Sequence, residues 1–327
     1  MPIPRRTLLR AALGAPAFLL VRPDGLLAED AYPAKELRAP CGFPPGSAND
    51  VLVRYFADQL SKLAGKPVVV ENKPGAFGNI ATEAAAKARP DGYTIYISGS
   101  AALAAAPNVF KKLSFAPLAD FEFVTTLGEL AFVLLVDPKL PINTVADLTA
   151  HLKAKDGKAS YASAALPSLV ASELYLQSVG AKAATVNYRT TADSLNDLYA
   201  GNIDFTFASA SFAVGMVKSG KLRALAITAP RRMAAIPEWP SMIEAGVPGY
   251  DLLEFWMVTI PAGTPKPIVD RLEGWFNQIV ASDETKTFLH GLGLDQLRGD
   301  RALAREMTVK HTAAWKTYAT LAKIEPM

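Results

Sequence analysis

Short apolar strands alternate with amphipathic helices along most of this chain, and this alternation limits the folds available to it. The segment VLVRYFADQLSKLAG at 51–65 places its large apolar side chains on one face and ends on a glycine, as an amphipathic helix does. PVVVEN at 67–72 then indicates a buried strand, and NIATEAAAKA at 79–88 indicates a second helix with Asn79 as its cap. Such alternation is typical of a mostly parallel sheet with helices on both faces.

The same pattern continues in the second half of the chain. FVLLVD at 132–137 indicates a strand, and TVADLTAHLKAK at 144–155 a helix in which Thr144 and Asp147 have capping-box spacing. After GTPKP at 263–267 the pattern is almost entirely helical. The chain has 327 residues, half of them apolar, which is enough to bury two cores. We therefore predict two α/β domains.

The N-terminal segment has the features of an export signal. RRTLLR at 5–10 precedes the apolar run AALGAPAFLLV at 11–21. That run is shorter than the roughly 20 residues of a membrane span and suits the apolar region of a secretory signal. The pair Arg5 and Arg6 resembles a twin-arginine signal, with an ordinary secretory signal as the alternative. We assign 1–28 to a cleaved signal and expect a periplasmic protein.

Composition excludes several kinds of partner and site. The formal charge of the chain is +3, and the signal itself carries four arginines and one aspartate, so the mature protein is close to neutral. A nucleic-acid partner is not expected, because the sequence shows no basic stripe with interleaved aromatics. The single cysteine, Cys41, cannot form an intramolecular disulfide or a multi-thiolate metal site. Three scattered histidines do not suggest metal ligands.

The motifs of common enzymes do not occur in this sequence. We find no G-x-S-x-G elbow, no H-E-x-x-H pair and no Walker loop. GLGLDQ at 291–296 lacks the third glycine of a dinucleotide-binding loop and does not follow a strand. We therefore predict a protein without enzymatic activity, cofactor or metal.

Three predicted strands end in loops that are suited to binding an anion. FPPGSAND at 43–50 follows the first strand, NKPGAFGNIATE at 72–83 the second, and ISGSA at 97–101 ends the third. In an open parallel sheet, ligands bind beyond the carboxyl ends of the strands, where helix N-termini converge. Backbone N–H groups and hydroxyls there hold a carboxylate without an arginine. Ser47 and Asp50 have capping-box spacing, so capping is the alternative role at the first loop.

The same stretches carry a resemblance to a known family. FPPGSANDVLVRYFADQL, GKPVVVENKPGAFGNIATE and KARPDGYTIY closely resemble the Bug, or TctC-type, solute receptors of tripartite tricarboxylate transporters. The resemblance continues through VNYRTTADSLNDLYAGNIDF and GKLRALAIT to PAGTPKPIVDRL, so it covers nearly the whole mature chain. It implies an α/β, two-lobed type II periplasmic binding protein fold. Each lobe is then a mostly parallel sheet flanked by helices, and two crossing strands form the hinge.

The resemblance also implies a domain arrangement and a function. Lobe I would comprise 32–131 and 258–327, and lobe II would comprise 132–257. The implied function is that of a monomeric extracytoplasmic receptor, which clamps a small organic carboxylate and delivers it to an integral-membrane permease. A periplasmic sensor that presents the carboxylate to a signalling partner is the first alternative, and a hydrolase or isomerase on this fold is the second.

The chain departs from the family pattern at the expected ligand cleft. Ser47 and Phe77 stand where glycines are usual, and YASAALPSLVASELY at 161–175 is shorter than its counterpart and lacks a histidine. Ser209 follows an alanine where an Asp-Asn pair is common, and Arg189 replaces the usual lysine. Lobe II is thus less acidic, so the ammonium of an amino acid would be buried unpaired. We expect an aromatic or medium-chain carboxylic acid instead, with Phe77 available for stacking.

We expect the ligand to contact the three loops of lobe I and the facing loops of lobe II. For Phe77 and Arg189 the alternative is packing or surface exposure, and for the hydroxyl residues it is local backbone capping. The candidate ligand-binding residues are Phe43, Gly46, Ser47, Asn49, Phe77, Gly78, Asn79, Ser98, Ser100, Ser163, Arg189, Thr190 and Ser209.

Export is expected to depend on Arg5 and Arg6, because a twin-arginine translocase reads that pair. Replacing both with lysine should leave precursor in the cytoplasm, as measured by cell fractionation and immunoblotting. Undiminished periplasmic protein would point instead to the general secretory route.

Overall fold

A computed structural model describes residues 32–326, so the predicted export signal at 1–28 lies outside the described residues. Residues from Pro33 onward form a unit of their own, and all the elements named here belong to it. The strands are β1 (Leu37–Cys41), β2 (Val68–Asn72), β3 (Tyr96–Gly99), β4 (Phe121–Val136), β5 (Ala159–Ser163), β6 (Ala183–Asn187), β7 (Phe205–Ser209), β8 (Arg223–Ile227), β9 (Leu253–Pro261) and β10 (Asp295–Gln296). The helices are α1 (Ala48–Ala64), α2 (Asn79–Ala86), α3 (Ala101–Ala104), α4 (Ala106–Val109), α5 (Val145–Ala154), α6 (Leu166–Val179), α7 (Leu195–Tyr199), α8 (Ala210–Lys218), α9 (Lys266–Ala281), α10 (Asp283–Gly291) and α11 (Arg301–Leu321).

Strand β4 connects the two halves of the main sheet. All but two of its 16 residues are buried, which fits its run of aromatic and aliphatic side chains. From Phe121 to Ala131 it pairs antiparallel with β9. From Phe132 onward it pairs with β7 and β8 instead. The change of partner between Ala131 and Phe132 divides the sheet into two halves.

Parallel pairs occur both before and after β4 in the chain, as the alternation of strands and helices predicts, and β1 and β2 form a separate two-stranded sheet. β1 and β2 are parallel, and β5 is parallel to both β6 and β7. The main sheet has the order β3-β9-β4-β7-β5-β6, and β8 and β10 also pair with β4. Every antiparallel pair among these strands involves β4 or β9. These two long strands carry the chain between the halves in opposite directions.

The helix starts follow local sequence signals, with one correction. α5 has the predicted capping box, in which Thr144 and Asp147 bond each other's backbone N–H groups. The sequence predicts Asn79 as the cap of α2, but Asn79 is the first helical residue and Gly78 holds the cap position. A short 3-10 helix at Ala76–Gly78 runs directly into α2 and requires a φ of 88° at the junction, which glycine adopts without strain. Within residues 32–326, no helix has both the length and the hydropathy that crossing a membrane requires.

Two buried clusters lie at different parts of the sheet. One combines aromatic residues of β3, the first part of β4 and β9 with alanines of α2. The other combines the last part of β4 with β5, α6 and β7, and it also takes in Val109 of α4 and Trp315 of α11. The end of the C-terminal helix α11 thus packs in the second cluster, although its first turn packs in the first.

We propose that the change of partner in β4 marks the limit between the lobes, with 32–131 and 258–327 in lobe I and 132–257 in lobe II. The return crossing supports a division into two lobes, but the strand pairing favours a second limit between Leu252 and Leu253 instead of at 257/258. Just before β9, the N–H of Leu252 donates to the carbonyl oxygen of Thr228, beside β8, at 3.0 Å. From Leu253 onward, β9 pairs with the first part of β4.

The packing of β10 on β4 leaves no room for a side chain at Gly128, where an added Cβ would lie 2.9 Å from the carbonyl oxygen of Asp295. We expect Gly128→Ala to lower the free energy of unfolding by about 1–3 kcal/mol, because the β10 backbone must move. The matched control is Gly215→Ala on α8, where nothing lies within 4 Å of the added Cβ. This change should raise the free energy of unfolding by about 1 kcal/mol. Urea unfolding measures both, and equal stability of the two variants would contradict the tight contact.

Candidate functional site

The loops that follow β1, β2 and β3 lie close together, although β1 and β2 form a two-stranded sheet separate from the main sheet. Gly42, directly after β1, lies so close to α2 that an added Cβ would be 2.9 Å from the Cα of Gly78. Asn72, the last residue of β2, donates from its side chain to the carbonyl oxygen of Phe43 at 3.0 Å. The Phe43 ring centre lies 5.7 Å from that of Trp256 on β9, the strand that pairs with β3. The three loops predicted from the sequence are therefore brought together.

Asp50 holds the first loop in place. Its buried carboxylate accepts hydrogen bonds from the Gly46 N–H at 2.8 Å, Arg54 Nε at 2.8 Å and Asn72 Nδ2 at 2.6 Å. Burial acts to raise the pKa of Asp50, but these hydrogen bonds outweigh it and hold the pKa below its usual range. Ser47 caps α1 as predicted, because its hydroxyl accepts from the Asp50 N–H at 3.2 Å. The carboxylate does not complete the capping box, since Arg54 and Asn72 draw it toward Gly46.

Two backbone N–H groups at the start of α1 are available to a ligand, whereas two neighbouring donors are already hydrogen-bonded. The Gly46 N–H is committed to Asp50, and the Ser47 hydroxyl donates to the carbonyl oxygen of Pro44 at 2.8 Å. The N–H groups of Ala48 and Asn49, in the first turn of α1, have no acceptor within the described chain. With the dipole of a 17-residue helix behind them, these two donors suit an anion.

The first loop covers a buried thiol. The Cys41 side chain is fully buried, and its Sγ lies 3.7 Å from Oδ1 of Asp50. Burial raises the pKa of the Cys41 thiol to about 11, and the nearby Asp50 carboxylate adds to the effect. Cys41 therefore stays a neutral, unreactive thiol at physiological pH.

The second loop has a strained backbone. Gly75, Ala76, Phe77 and Gly78 have φ angles of 127°, 45°, 53° and 88°. At the two non-glycine residues this left-handed backbone costs about 1–3 kcal/mol each, and such strain is concentrated at functional sites. The Phe77 side chain is 55% exposed, so the ring is not held in a core. The strain therefore places an aromatic ring at the surface directly before α2.

Helix α2 begins without a side-chain cap, because Gly78 has no side chain. The N–H of Asn79 donates to the carbonyl oxygen of Ala76, and no side chain caps the N–H groups of the first turn. The side-chain oxygen of Asn79 is buried and has no hydrogen-bond partner in the described chain. The start of α2 thus has no side-chain cap and presents one free acceptor.

A narrow crevice extends from the start of α2 toward the proposed lobe II. Phe77 and Asn79 form one wall, α3 and α4 form the second, and Leu166 at the start of α6 forms the third. The crevice is therefore apolar except at Asn79. Its lining residues are Phe77, Asn79, Ala101, Ala102, Ala105, Ala106, Val109, Phe110 and Leu166.

The two predicted serines of the third loop have different surroundings. Ser98 is buried, and its hydroxyl makes no hydrogen bond of ordinary length within the described chain. Burial raises the pKa of Tyr96 to about 12, and the nearby hydroxyls of Thr82 and Ser98 act in the opposite direction. Ser100 is also buried, but its Oγ lies 3.3 Å from Nδ1 of His311 on α11. The Ser98 hydroxyl thus has no hydrogen-bond partner in the described chain, whereas the Ser100 hydroxyl is within hydrogen-bond distance of His311.

Thr190 and Arg189 serve the local structure of a surface turn. Thr190 caps the short 3-10 helix Thr191–Ser194, because its hydroxyl accepts from the Asp193 N–H at 3.3 Å. The Arg189 side chain is 90% exposed, and its Nε lies 3.7 Å from the Asp193 carboxylate. Neither residue is among those that line the crevice.

Ser163 and Ser209 end β5 and β7. Ser163 is buried, and its Oγ lies 3.4 Å from both the carbonyl oxygen of Ala165 and Oγ of Ser168, which is long for a hydroxyl hydrogen bond. The Ser209 hydroxyl lies 2.9 Å from that of Ser211. The Ser163 hydroxyl therefore makes the longer internal hydrogen bonds of the two. Ser163 lies three residues before Leu166, the crevice-lining residue at the start of α6.

Two buried polar groups on β9 lie outside the predicted set. Glu254 is 8% exposed and Trp256 is 2% exposed, and neither Oε1 of the acid nor Nε1 of the indole has a hydrogen-bond partner in the described chain. An added Cβ at Gly99 would lie 3.7 Å from Oε2 of Glu254 and 4.0 Å from Nε1 of Trp256. The sequence signal for this pair is a single acid in the apolar strand LEFWMVTIP. Elsewhere in residues 32–326, no cluster of His, Cys, Asp or Glu side chains is arranged to hold a metal ion.

Known proteins match the chain over most of its length. The sequence profile of the tripartite tricarboxylate transporter family receptors, TctC, matches residues 52–319. Protein BugT of Bordetella pertussis is 33% identical over 256 residues, which cover 77% of this chain and 78% of BugT.

Solved structures agree with this match. An R. palustris protein solved with adipate superposes with a TM-score of 0.84 at 28% identity, covering 90% of this chain and 100% of that chain. MatC from Rhodopseudomonas palustris, solved with bound malate, gives a TM-score of 0.78 at 25% identity, covering 88% and 99%. The resemblance found in the sequence and the two-domain type II fold are thereby confirmed. The chain belongs to the TctC, or Bug, family of periplasmic solute-binding receptors.

Proposed function

We propose that this protein is an extracytoplasmic receptor, which binds a small organic carboxylate between its lobes and delivers it to the permease of a tripartite tricarboxylate transporter. The observation that carries the proposal is the uncapped start of α2, which faces a narrow apolar crevice. A helix start without a side-chain cap at one end and apolar walls along the length suit an acid with one charged end and an apolar body. Family membership and the adipate and malate complexes of relatives support the same class of ligand.

The donors proposed for the carboxylate come from two helix starts and one strand end. They are the N–H groups of Ala48 and Asn49 on α1, those of Ile80 and Ala81 on α2, and the Ser98 hydroxyl on β3. Charge-assisted hydrogen bonds of this kind are about twice as strong as neutral ones.

We propose binding without catalysis. Asn79, the polar side chain in the lining of the crevice, is neither an acid, a base nor a nucleophile. The apolar walls and the exposed ring of Phe77 favour an aromatic or medium-chain acid over an amino acid, because the lining has no anion to pair with an ammonium group.

Lobe closure is expected when the ligand binds, because lobes that clamp one anion must approach each other. Small-angle scattering of the purified receptor should show a smaller radius of gyration with a saturating carboxylate than without it. Chloride at the same ionic strength is the control. An unchanged profile with a ligand that calorimetry shows to be bound would contradict the clamp.

Phe77 is expected to set part of the ligand preference. Phe77→Gly should weaken benzoate binding by about two- to tenfold, because it removes a stacking partner worth roughly 0.5–1.5 kcal/mol. Ala76→Gly is the matched control, since it relieves the same kind of backbone strain and leaves the ring in place. Isothermal calorimetry with benzoate, adipate, aspartate and glutamate measures the effect, after a thermal-shift screen of carboxylates.

Benzoate or adipate should bind more tightly than either amino acid. Tight aspartate binding with no response to the other acids would contradict the proposed ligand class. Equal effects of Phe77→Gly and Ala76→Gly would show that backbone strain, and not the ring, matters at this loop.

A further inference from the structure

Glu254 is an unusual residue for its position. It is an acid in the apolar strand β9, it is 8% exposed, and its Oε1 has no hydrogen-bond partner in the described chain. A buried carboxylate without a cation is costly, so burial favours the neutral acid. Burial raises the pKa of Glu254 to about 7, with the N–H of Ala101 acting in the opposite direction. At neutral pH this group is therefore a hydrogen-bond donor in a large share of the molecules.

Trp256 presents a second donor beside it. Residues two apart in a strand point to the same side, so the two side chains share one face of β9. Nε1 of Trp256 is buried and has no acceptor in the described chain. Both side chains border the space over Gly99, where an added Cβ would be in ordinary van der Waals contact with each of them.

This space adjoins the site described above. Phe43, in the first loop, packs against Trp256. Ala101, whose N–H acts on Glu254, lines the crevice together with Phe77 and Asn79. The unpartnered side chains of Glu254 and Trp256 thus lie next to the loops that are proposed to bind the ligand.

We propose that Glu254 and Trp256 form a donor pair for the ligand, in which the carboxyl O–H and the indole N–H donate to one carboxylate oxygen of the bound acid. The inference rests on the receptor function proposed above and adds a specificity determinant to it. One carboxylate oxygen accepts two hydrogen bonds, which matches the two donors. An ammonium group offers no acceptor to the indole N–H, and an ionised Glu254 would repel the anion.

Other titratable groups lie on the elements around Glu254. On β4, Glu129 pairs with Arg231 at 2.7 Å. Before β9, Asp251 has a raised pKa, caused first by burial and then by Glu129. On α11, burial lowers the pKa of His311 to about 4, so this ring is neutral. The raised pKa of Glu254 comes from burial alone, since none of these charges contributes to it.

Ligand affinity is then expected to fall as pH rises. Below the pKa of Glu254, which is about 7, its carboxyl group is mostly protonated in the unliganded protein. At higher pH, Glu254 must take up a proton when the anion binds, which weakens binding. Between about pH 6 and about pH 8 the affinity should therefore drop about tenfold. The ligand's own carboxyl groups ionise mostly below this range, at about pH 4–5.

Calorimetric titration of the exported, purified protein with adipate and benzoate at these two pH values tests the proposal. Glu254→Gln keeps the size and an N–H donor but does not titrate, so it should bind like the wild type at the lower pH and lose the pH dependence. Trp256→Phe should bind about fivefold more weakly at both pH values, through the lost hydrogen bond. Asp251→Asn, which removes a carboxylate three residues from Glu254, is the control and should keep the wild-type pH dependence.

Two results would overturn the donor pair alone: adipate or benzoate affinity that does not change with pH in the wild type, or a pH dependence that persists in Glu254→Gln. Affinity that rises with pH would also overturn it, since the ionised acid would then be the binding form. Absence of binding of both acids at every pH would contradict the proposed ligand class as well. The two proposals therefore fail in distinguishable ways.

Discussion

The continuity of β4 is the constraint on which the rest of the structure depends. Every buried N–H and C=O along its 16 residues needs a partner, and different strands supply them along its length. β9 and β10 pair with its first part, and β7 and β8 pair with its last part. Because both halves of the sheet are built on this strand, the ends of their strands reach the same crevice. The positions of the crevice walls are thus set by backbone hydrogen bonds far from any ligand.

The loops that follow β1 and β2 are held in opposite ways. The first loop is tied down by the buried Asp50, whose lowered pKa keeps it charged against the Gly46 N–H and Arg54. The second loop keeps strain at Ala76 and Phe77 and leaves the start of α2 uncapped. A first loop fixed by hydrogen bonds thus lies beside a strained second loop that carries an exposed aromatic ring. Unpartnered polar atoms of Asn79 and Trp256 lie beside these loops, where hydrogen bonds from a bound molecule would satisfy them.

Local patterns in the sequence predicted much of this arrangement. Periodicity identified the α/β alternation and the two-domain fold, and turn chemistry identified the caps at Ser47 and Thr144. The cap of α2 was misassigned because it depends on a tertiary contact, the approach of Gly42 to Gly78. Glu254 and Trp256 were missed for a related reason. A strand that is buried on both faces has the sequence pattern of a core strand throughout. Only the pairing of β3 with β9 brings Trp256 beside Gly99, 256 − 99 = 157 positions away in the chain.

The burial of Cys41 has a practical consequence. Its thiol is out of contact with solvent and is held neutral by a pKa of about 11, so maleimide dyes have no native target in the described chain. A cysteine introduced at the rim of the crevice would therefore carry a single fluorophore without first removing a native residue. The receptor is in effect a ready scaffold for an optical biosensor, in which the environment of one dye reports the occupancy of the crevice.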